Sequence, residues 1–291
     1  MFNTLLPVMA PVAISIFIGF LWRKMAWPYD TEMVTRLIMW VGAPCLIVST
    51  LVKTDVSQAV LESMAWVSLA VVGATLLLCW IMLKITRQPV RDFLGPLTFP
   101  NAGNMGLPVC LFAFGNEGLV LALAVFMVLS LVHFTVGIAL VSGRSVVREM
   151  VSNPIIYSIA LAVGVIYTDL SLPRWVANTV GLLGDITIPM MLLTLGVSLA
   201  SMNMNSLFKG GFWGTVRLAV GVLVGWGVAT AFQLQGVTKG VVIIQSAMPV
   251  AIFNYLFAMR YGRSPQVVAS MVMVSTLLSF ALIPLLLVYV I

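Results

Sequence analysis

Charge is what this sequence has least of. Asp, Glu, Lys and Arg make up 8% of its 291 residues, against about 25% in a soluble domain. That excludes an ordinary water-facing surface. Histidine is nearly absent too, with His133 alone, and carboxylates are scarce. With no HExxH and no GxSxG, no triad or metal cluster is legible, so an enzyme is not expected. The three cysteines (Cys45, Cys79 and Cys110) form no CxxC and lie in apolar stretches, so they read as small core hydrophobes. No Lys or Arg precedes the first apolar run, no small-residue cleavage site ends it, and Arg23-Lys24 follow it. Met1 to Trp22 is therefore expected to be a first transmembrane helix rather than a signal peptide.

What remains is apolar. Hydrophobic residues are 61% of the chain and mean hydropathy is +1.12, which makes this an all-α polytopic membrane protein in contact with a lipid bilayer. The apolar runs are 2–22, 33–51, 63–85, 92–114, 118–142, 153–168, 175–201, 211–232, 239–260 and 265–290, about ten spans of bilayer length. The eighteen methionines and the aromatics read as lipid-facing or packing residues. Alternate linkers differ in charge. One set holds Arg23, Lys24, Arg36, Lys84, Arg87, Arg91, Arg144, Arg148, Lys209, Arg260 and Arg263; the other holds Lys53, Arg174 and Lys239. The basic set belongs in the cytoplasm, which puts both termini outside. The net charge of +6 is then a loop property and implies no nucleic acid.

The two halves of the chain echo each other. Pro44 is followed by Cys-Leu-Ile-Val-Ser-Thr and Pro189 by Met-Met-Leu-Leu-Thr. Pro100 and Pro249 each interrupt a later segment, and both pairs are offset by about half the chain. Residues 1–142 and 153–291 thus read as two five-helix repeats joined by a linker, 143–152. Five is odd, so the second copy is inverted, with segments 4 and 9 broken and crossing at the bilayer midplane.

The first break is Thr98-Phe-Pro-Asn-Ala-Gly-Asn-Met-Gly-Leu-Pro-Val109. Pro100 and Pro108 lack a donor and clash with the preceding turn. Gly103 and Gly106 disfavour helix. Asn101 and Asn104 need partners in an apolar medium. A membrane tolerates such backbone only where protein buries it or a wet cavity meets it. The second break is Gln245-Ser-Ala-Met-Pro-Val-Ala-Ile-Phe-Asn254. Half-helix N-termini favour an anion. With Asn101, Asn104, Gln245, Ser246 and Asn254 beside them, they could hold a carboxylate without a buried cation. Asp185, before Ile-Thr-Ile-Pro189, is expected to face the bundle in its neutral form, and with His133 it is a candidate to carry a coupling proton or help bind a sodium ion. Arg217, Glu62 and Lys84 read as snorkelling near segment ends.

Thr98 to Val109 resembles the fourth-helix crossover of the auxin efflux carrier family, which includes plant carriers and bacterial organic-anion transporters. Arg36 to Thr50 resembles the family's second helix and Ser152-Asn-Pro-Ile-Ile-Tyr-Ser158 the opening of its sixth. Gly184 to Ala200 resembles the seventh, and Met248-Pro249 with Tyr261-Gly-Arg-Ser-Pro265 the ninth and the start of the tenth. The resemblance implies a bile-acid-symporter-like fold, split into a scaffold and a transport domain that each draw on both repeats. It implies elevator-type alternating access, an organic acid anion as substrate, the plasma (inner) membrane of a bacterium, and a homodimer through the scaffold. By position it marks Asn101 and Asn153 as carboxylate contacts, and Pro100 and Pro249 as crossover prolines. The chain departs from the plant pattern at Ile47, at His133-Phe134 in place of a Trp-Tyr pair, and in its short central linker. A small mono- or dicarboxylate such as malonate or malate is therefore expected rather than auxin. The alternatives are a sodium- or proton-coupled symporter of bile-acid type and a non-transporting membrane sensor.

Overall fold

The structure is a computed structural model that describes residues 2–53, 58–143, 157, 160–161, 164, 172–202 and 206–290. Among these residues there are helices and turns and no strand. The first half holds α1 (Phe2–Lys24), α2 (Thr31–Leu37), α3 (Ala43–Lys53), α4 (Gln58–Ile85), α5 (Val90–Thr98), α6 (Leu107–Val132) and α7 (Ile138–Ser142). The second holds α8 (Arg174–Asp185), α9 (Thr187–Ser201), α10 (Leu207–Ala231), α11 (Gly236–Ser246), α12 (Ile252–Tyr261) and α13 (Pro265–Val290).

Several joints between these helices follow from local sequence. A π-helical turn, Ile38–Gly42, joins α2 to α3 just before Pro44, and another, Ala102–Gly106, leads into α6 just before Pro108. A proline collides with the carbonyl four residues back, and the wider π turn relieves that collision. A third, His133–Gly137, joins α6 to α7. Asp30 caps α2, its carboxylate accepting from the Met33 N–H at 2.9 Å. Within α6 the chain bends at Gly115, whose φ of 66° and ψ of −155° suit a residue without Cβ. The sequence-based segments 4 and 5 meet at this bend.

Among the described residues, seven helices are long and apolar enough to cross a membrane. The difference from the expected ten has identifiable causes. Residues 102–142 run as one stretch through the Gly115 bend. The half-helices α5, α11 and α12 are each 9 to 11 residues long, too short to span alone. The sixth segment lies almost wholly outside the described residues.

Helix packing sets the frame. α1 lies along α9, α8 along α3, and α10 along α13, while α4 packs on α5, α6 and α10. The first pair approaches closely enough to need glycine on both sides. A Cβ on Gly196 would fall 1.9 Å from the Ile16 carbonyl oxygen, and one on Gly19 would fall 2.1 Å from that of Leu193. Small residues at such contacts let backbones meet where lipid supplies no hydrophobic drive for helix association. Buried hydroxyls rarely need a distant partner. Ser68, Thr75 and Thr194 each donate to the carbonyl four residues earlier in their own helix. Large apolar side chains such as Trp66, Leu223 and Phe208 stand fully outward, as a lipid-facing surface requires.

Gly196→Ala should therefore force α1 and α9 apart and cost about 1–3 kcal/mol. Thermal unfolding in detergent would register this as a lowered Tm. Gly73→Ala on α4 meets nothing within 4 Å, and its Tm should stay level or rise slightly.

Candidate functional site

The two broken stretches meet each other directly. Asn101 N–H donates to the Pro249 carbonyl at 2.7 Å, and Ala251 N–H donates to the Phe99 carbonyl at 3.3 Å. Pro100 and Val250 pair between these bonds as an isolated antiparallel bridge. The exchange is reciprocal: each break gives one donor and one acceptor to the other. Pro100, in the middle of its strand-like step, has no N–H to satisfy. Its opposite number Val250 does, and that N–H goes to Ser275 Oγ on α13 at 3.1 Å. Few backbone groups of this crossing are left to chance, as burial in an apolar medium demands.

The ends of the half-helices are treated differently on the two sides of the crossing. The carbonyl end of α11 receives a cation. Arg217 on α10 is 1% exposed, and its Nη2 donates to the Ser246 carbonyl at 2.9 Å. A guanidinium there complements the negative end of the helix dipole. Its Nε and Nη1 have no partner among the described residues. Arg217 does not snorkel, contrary to the sequence-based expectation: α10 begins at Leu207, so residue 217 is nearly three turns inside the helix. Beside it Gln245 is completely buried, packed so tightly on Gly106 that a Cβ there would lie 2.3 Å from Gln245 Oε1. Neither amide atom of Gln245 has a protein partner among the described residues.

The N–H ends open the other way. The Ala102–Gly106 turn and α12 both start without a side-chain cap, so their leading N–H groups lack intrahelical acceptors. Both starts border one cavity of about 70 Å³, lined there by Asn101, Ala102, Gly103, Asn104, Ala251, Ile252 and Phe253. That volume admits several waters or a small organic anion. Among the described residues, none that lines the cavity is Asp, Glu, Lys or Arg. The local field therefore comes from two helix N-termini, each worth roughly half a positive charge. Asn101 is 4% exposed, and its Nδ2 has no partner among the described residues. An unpaired amide donor beside two uncapped N-termini is chemistry suited to a carboxylate.

The opposite wall comes from other helices: Thr31, Thr35 and Met39 from the α2 region, Thr194 and Ser198 from α9, and Ser130 and His133 from α6 and the turn after it. Sequence reasoning missed these hydroxyls. Thr194 and Ser198 lie four apart on one helix face, a signal that was available, yet nothing local shows which face meets a cavity. His133 is fixed by Asn254. Its Nε2 lies 3.0 Å from Asn254 Oδ1, while Asn254 Nδ2 donates to the Phe99 carbonyl at 3.2 Å. The ring stacks on Phe99 with centroids 4.2 Å apart.

The structure therefore divides the expected site residues. Pro100, Asn101, Gly103, Asn104 and His133 line the cavity. Gly106, Gln245, Ser246, Pro249 and Asn254 form the crossing behind or beside it, and Pro108 is buried in the first turn of α6. Asp185 is elsewhere. It ends α8, is exposed, and lines a separate cavity with Ser49, Thr50 and Asn116. Asn153 lies outside the described residues.

A model of the membrane transport protein family matches residues 2–146 and 138–289. The chain belongs to that family, which is also the family of the auxin efflux carriers. Similar members include an uncharacterised transporter of Methanocaldococcus jannaschii, 25% identical over 87% of this chain and 88% of its own length. Another from Methanothermobacter thermautotrophicus is 24% identical over 88% of each chain. A probable auxin efflux carrier component 1b of Oryza sativa subsp. japonica is 30% identical over 49% of this chain and 26% of its own. As a family member, this chain is a multi-pass membrane transport protein.

Asn254→Leu should destabilise the crossing, because it leaves His133 Nε2 buried without its partner and removes one bond to the Phe99 carbonyl. A loss of about 1–3 kcal/mol follows from one orphaned buried group, read as a drop in Tm. Asn254→Asp, which keeps an acceptor for His133 but cannot donate to Phe99, should also fall below the native protein.

Proposed function

We propose that the chain is a secondary transporter of a small organic acid anion, a mono- or dicarboxylate, held by its carboxylate in the cavity at the two helix breaks. The observation that carries this reading is the convergence, among the described residues, of two uncapped helix N-termini and the unpartnered Asn101 amide on one cavity without charged side chains. Such a site attracts an anion through oriented dipoles and needs no formal cation within contact distance. The adjoining hydroxyls of Ser130 and Ser198 supply neutral donors for the rest of the ligand.

The same reading takes the fold as two inverted five-helix repeats. The reciprocal bonding of Phe99-Pro100-Asn101 with Pro249-Val250-Ala251 supports it, since a two-fold relation exchanges like for like. It takes α4–α7 and α10–α13 as the moving part. They pack among themselves around the crossing, and α1–α3 with α8–α9 form the wall against which they slide. The cavity lies between these two groups, as elevator-type alternating access requires. The same reading puts both termini outside a plasma membrane, which the excess of Lys and Arg on alternate linkers supports.

In proteoliposomes, Asn101→Ala should reduce malonate or malate uptake to background while the protein elutes and melts normally. The lost contact to a charged ligand is worth about 1.5–3 kcal/mol. Undiminished uptake by that variant would remove the site from this cavity. Tight binding by the native protein without any flux would make it a sensor.

A further inference from the structure

The one histidine of the chain stands in the wall of the cavity, and its surroundings determine which of its nitrogens can change protonation. The Phe99 carbonyl can only accept, so the Asn254 atom 3.2 Å from it is the amide nitrogen. That turns Asn254 Oδ1 toward His133 Nε2 at 3.0 Å. Oδ1 also can only accept, so Nε2 carries a hydrogen in every state of the ring. Nδ1 is then the sole position where a proton comes and goes.

The rest of the ring is covered. One face stacks on Phe99, and Phe134 and Phe257 pack around it. Cδ2 lies against Gly137, where an added Cβ would come within 2.9 Å of it. Nδ1 has no hydrogen-bond partner among the described residues, and the residue lines the cavity. Among the described residues, no other lining side chain titrates near neutrality. The titratable groups on neighbouring elements are engaged elsewhere. Arg36 pairs with Glu32 at the surface, and Tyr29 bonds to Thr194. Asp92 accepts from Ser264, and Arg263 donates to the Val141 carbonyl. On α12, Arg260 lies over Tyr261, which packs against the cluster of Phe134 and Ile138, and Tyr255 packs against the main core.

A neutral His133, with Nε2 committed to Asn254, has only the lone pair of Nδ1 left to offer a ligand, and a carboxylate brought beside a lone pair is repelled. A protonated His133 presents an N–H donor and a positive charge instead. The charged ring is unfavourable in an apolar, empty site and favourable once an anion neutralises it. We propose that anion binding in this cavity is proton-linked through His133: the site loads one anion together with one proton, which is taken from solvent and bonds to Nδ1, and releases both together. The proposal rests on the reading of the cavity as an anion site and adds the coupling. It makes a monovalent anion cross without net charge and a divalent one with a single negative charge.

The direction with pH follows from linkage. The anion raises the affinity of Nδ1 for its proton, so acidification must raise the affinity for the anion by the same factor. Between the pKa values of the empty and loaded sites, affinity should rise about tenfold for each pH unit lowered. Isothermal titration of the purified full chain with propionate and with malonate, between about pH 6 and 8 and in buffers of different ionisation enthalpy, reads both affinity and proton uptake. The expected result is close to one proton taken up per anion. His133→Gln, whose amide can still donate to Asn254 Oδ1, should bind no better than the native protein at the alkaline end, with no proton uptake and no pH slope. That variant also separates a proton on the protein from one carried on the acid. Flat affinity and no proton uptake in the native protein would overturn the proposal while leaving the anion site standing. So would His133→Gln with native uptake. Failure of both anions to bind at any pH would remove the anion site and the coupling with it. The native measurements suffice for refutation even if the variant does not fold.

Discussion

Everything distinctive about this molecule depends on a backbone that breaks where water is scarce. An interrupted helix exposes N–H groups at one new end and carbonyls at the other, and an apolar medium satisfies neither. Here two interruptions solve part of the problem jointly. Phe99 to Asn101 and Pro249 to Ala251 bond to each other, and the remaining central N–H finds Ser275. Proline at position 100 removes a donor that would have had no acceptor. The crossing is consequently a structural necessity first, whatever else it does.

What makes it a candidate site is the unequal treatment of the two kinds of end. Behind the crossing, the carbonyl end of α11 is covered by the buried guanidinium of Arg217. In front, the N–H ends at Ala102 and Ile252 are left uncapped and face a shared cavity. A resident cation on the carbonyl side and vacant donors on the other side leave the cavity biased toward negative ligands. Asn254 ties this electrostatic arrangement to the side chains, because one amide holds both the Phe99 carbonyl of the crossing and the ring of His133. The imidazole can keep its position only while the two breaks keep theirs.

Membership in the membrane transport protein family rests on matches along nearly the whole chain, at identities near a quarter with the archaeal transporters. One architecture can serve many ligands, so a substrate has to be argued from the residues around the cavity.

Several features were legible from residue order alone. Composition dictated a lipid-embedded helical protein, since so few charges leave no other solvent. Proline, glycine and asparagine clustered at 98–109 and around Pro249 dictated where helices break, because their effects on the backbone are local. Asn101 and Asn104 were recognisable for the same reason: an amide beside a break in an apolar run must serve it or a ligand. Residue order could not say which side of the crossing each polar group would occupy. Gln245, read as a ligand contact, lies fully buried behind the crossing against Gly106, and Asp185 ends a helix at another cavity. Arg217, read as a residue reaching for the interface, closes a helix end in the core. Thr194 and Ser198 share one helix face by their spacing, but nothing local marked that face as the one that meets the cavity. These outcomes depend on how helices distant in sequence rotate and pack, and the glycine contacts between α1 and α9 that help set that packing involve residues almost two hundred positions apart. Local chemistry determined that the chain breaks; only tertiary packing decided what each break faces.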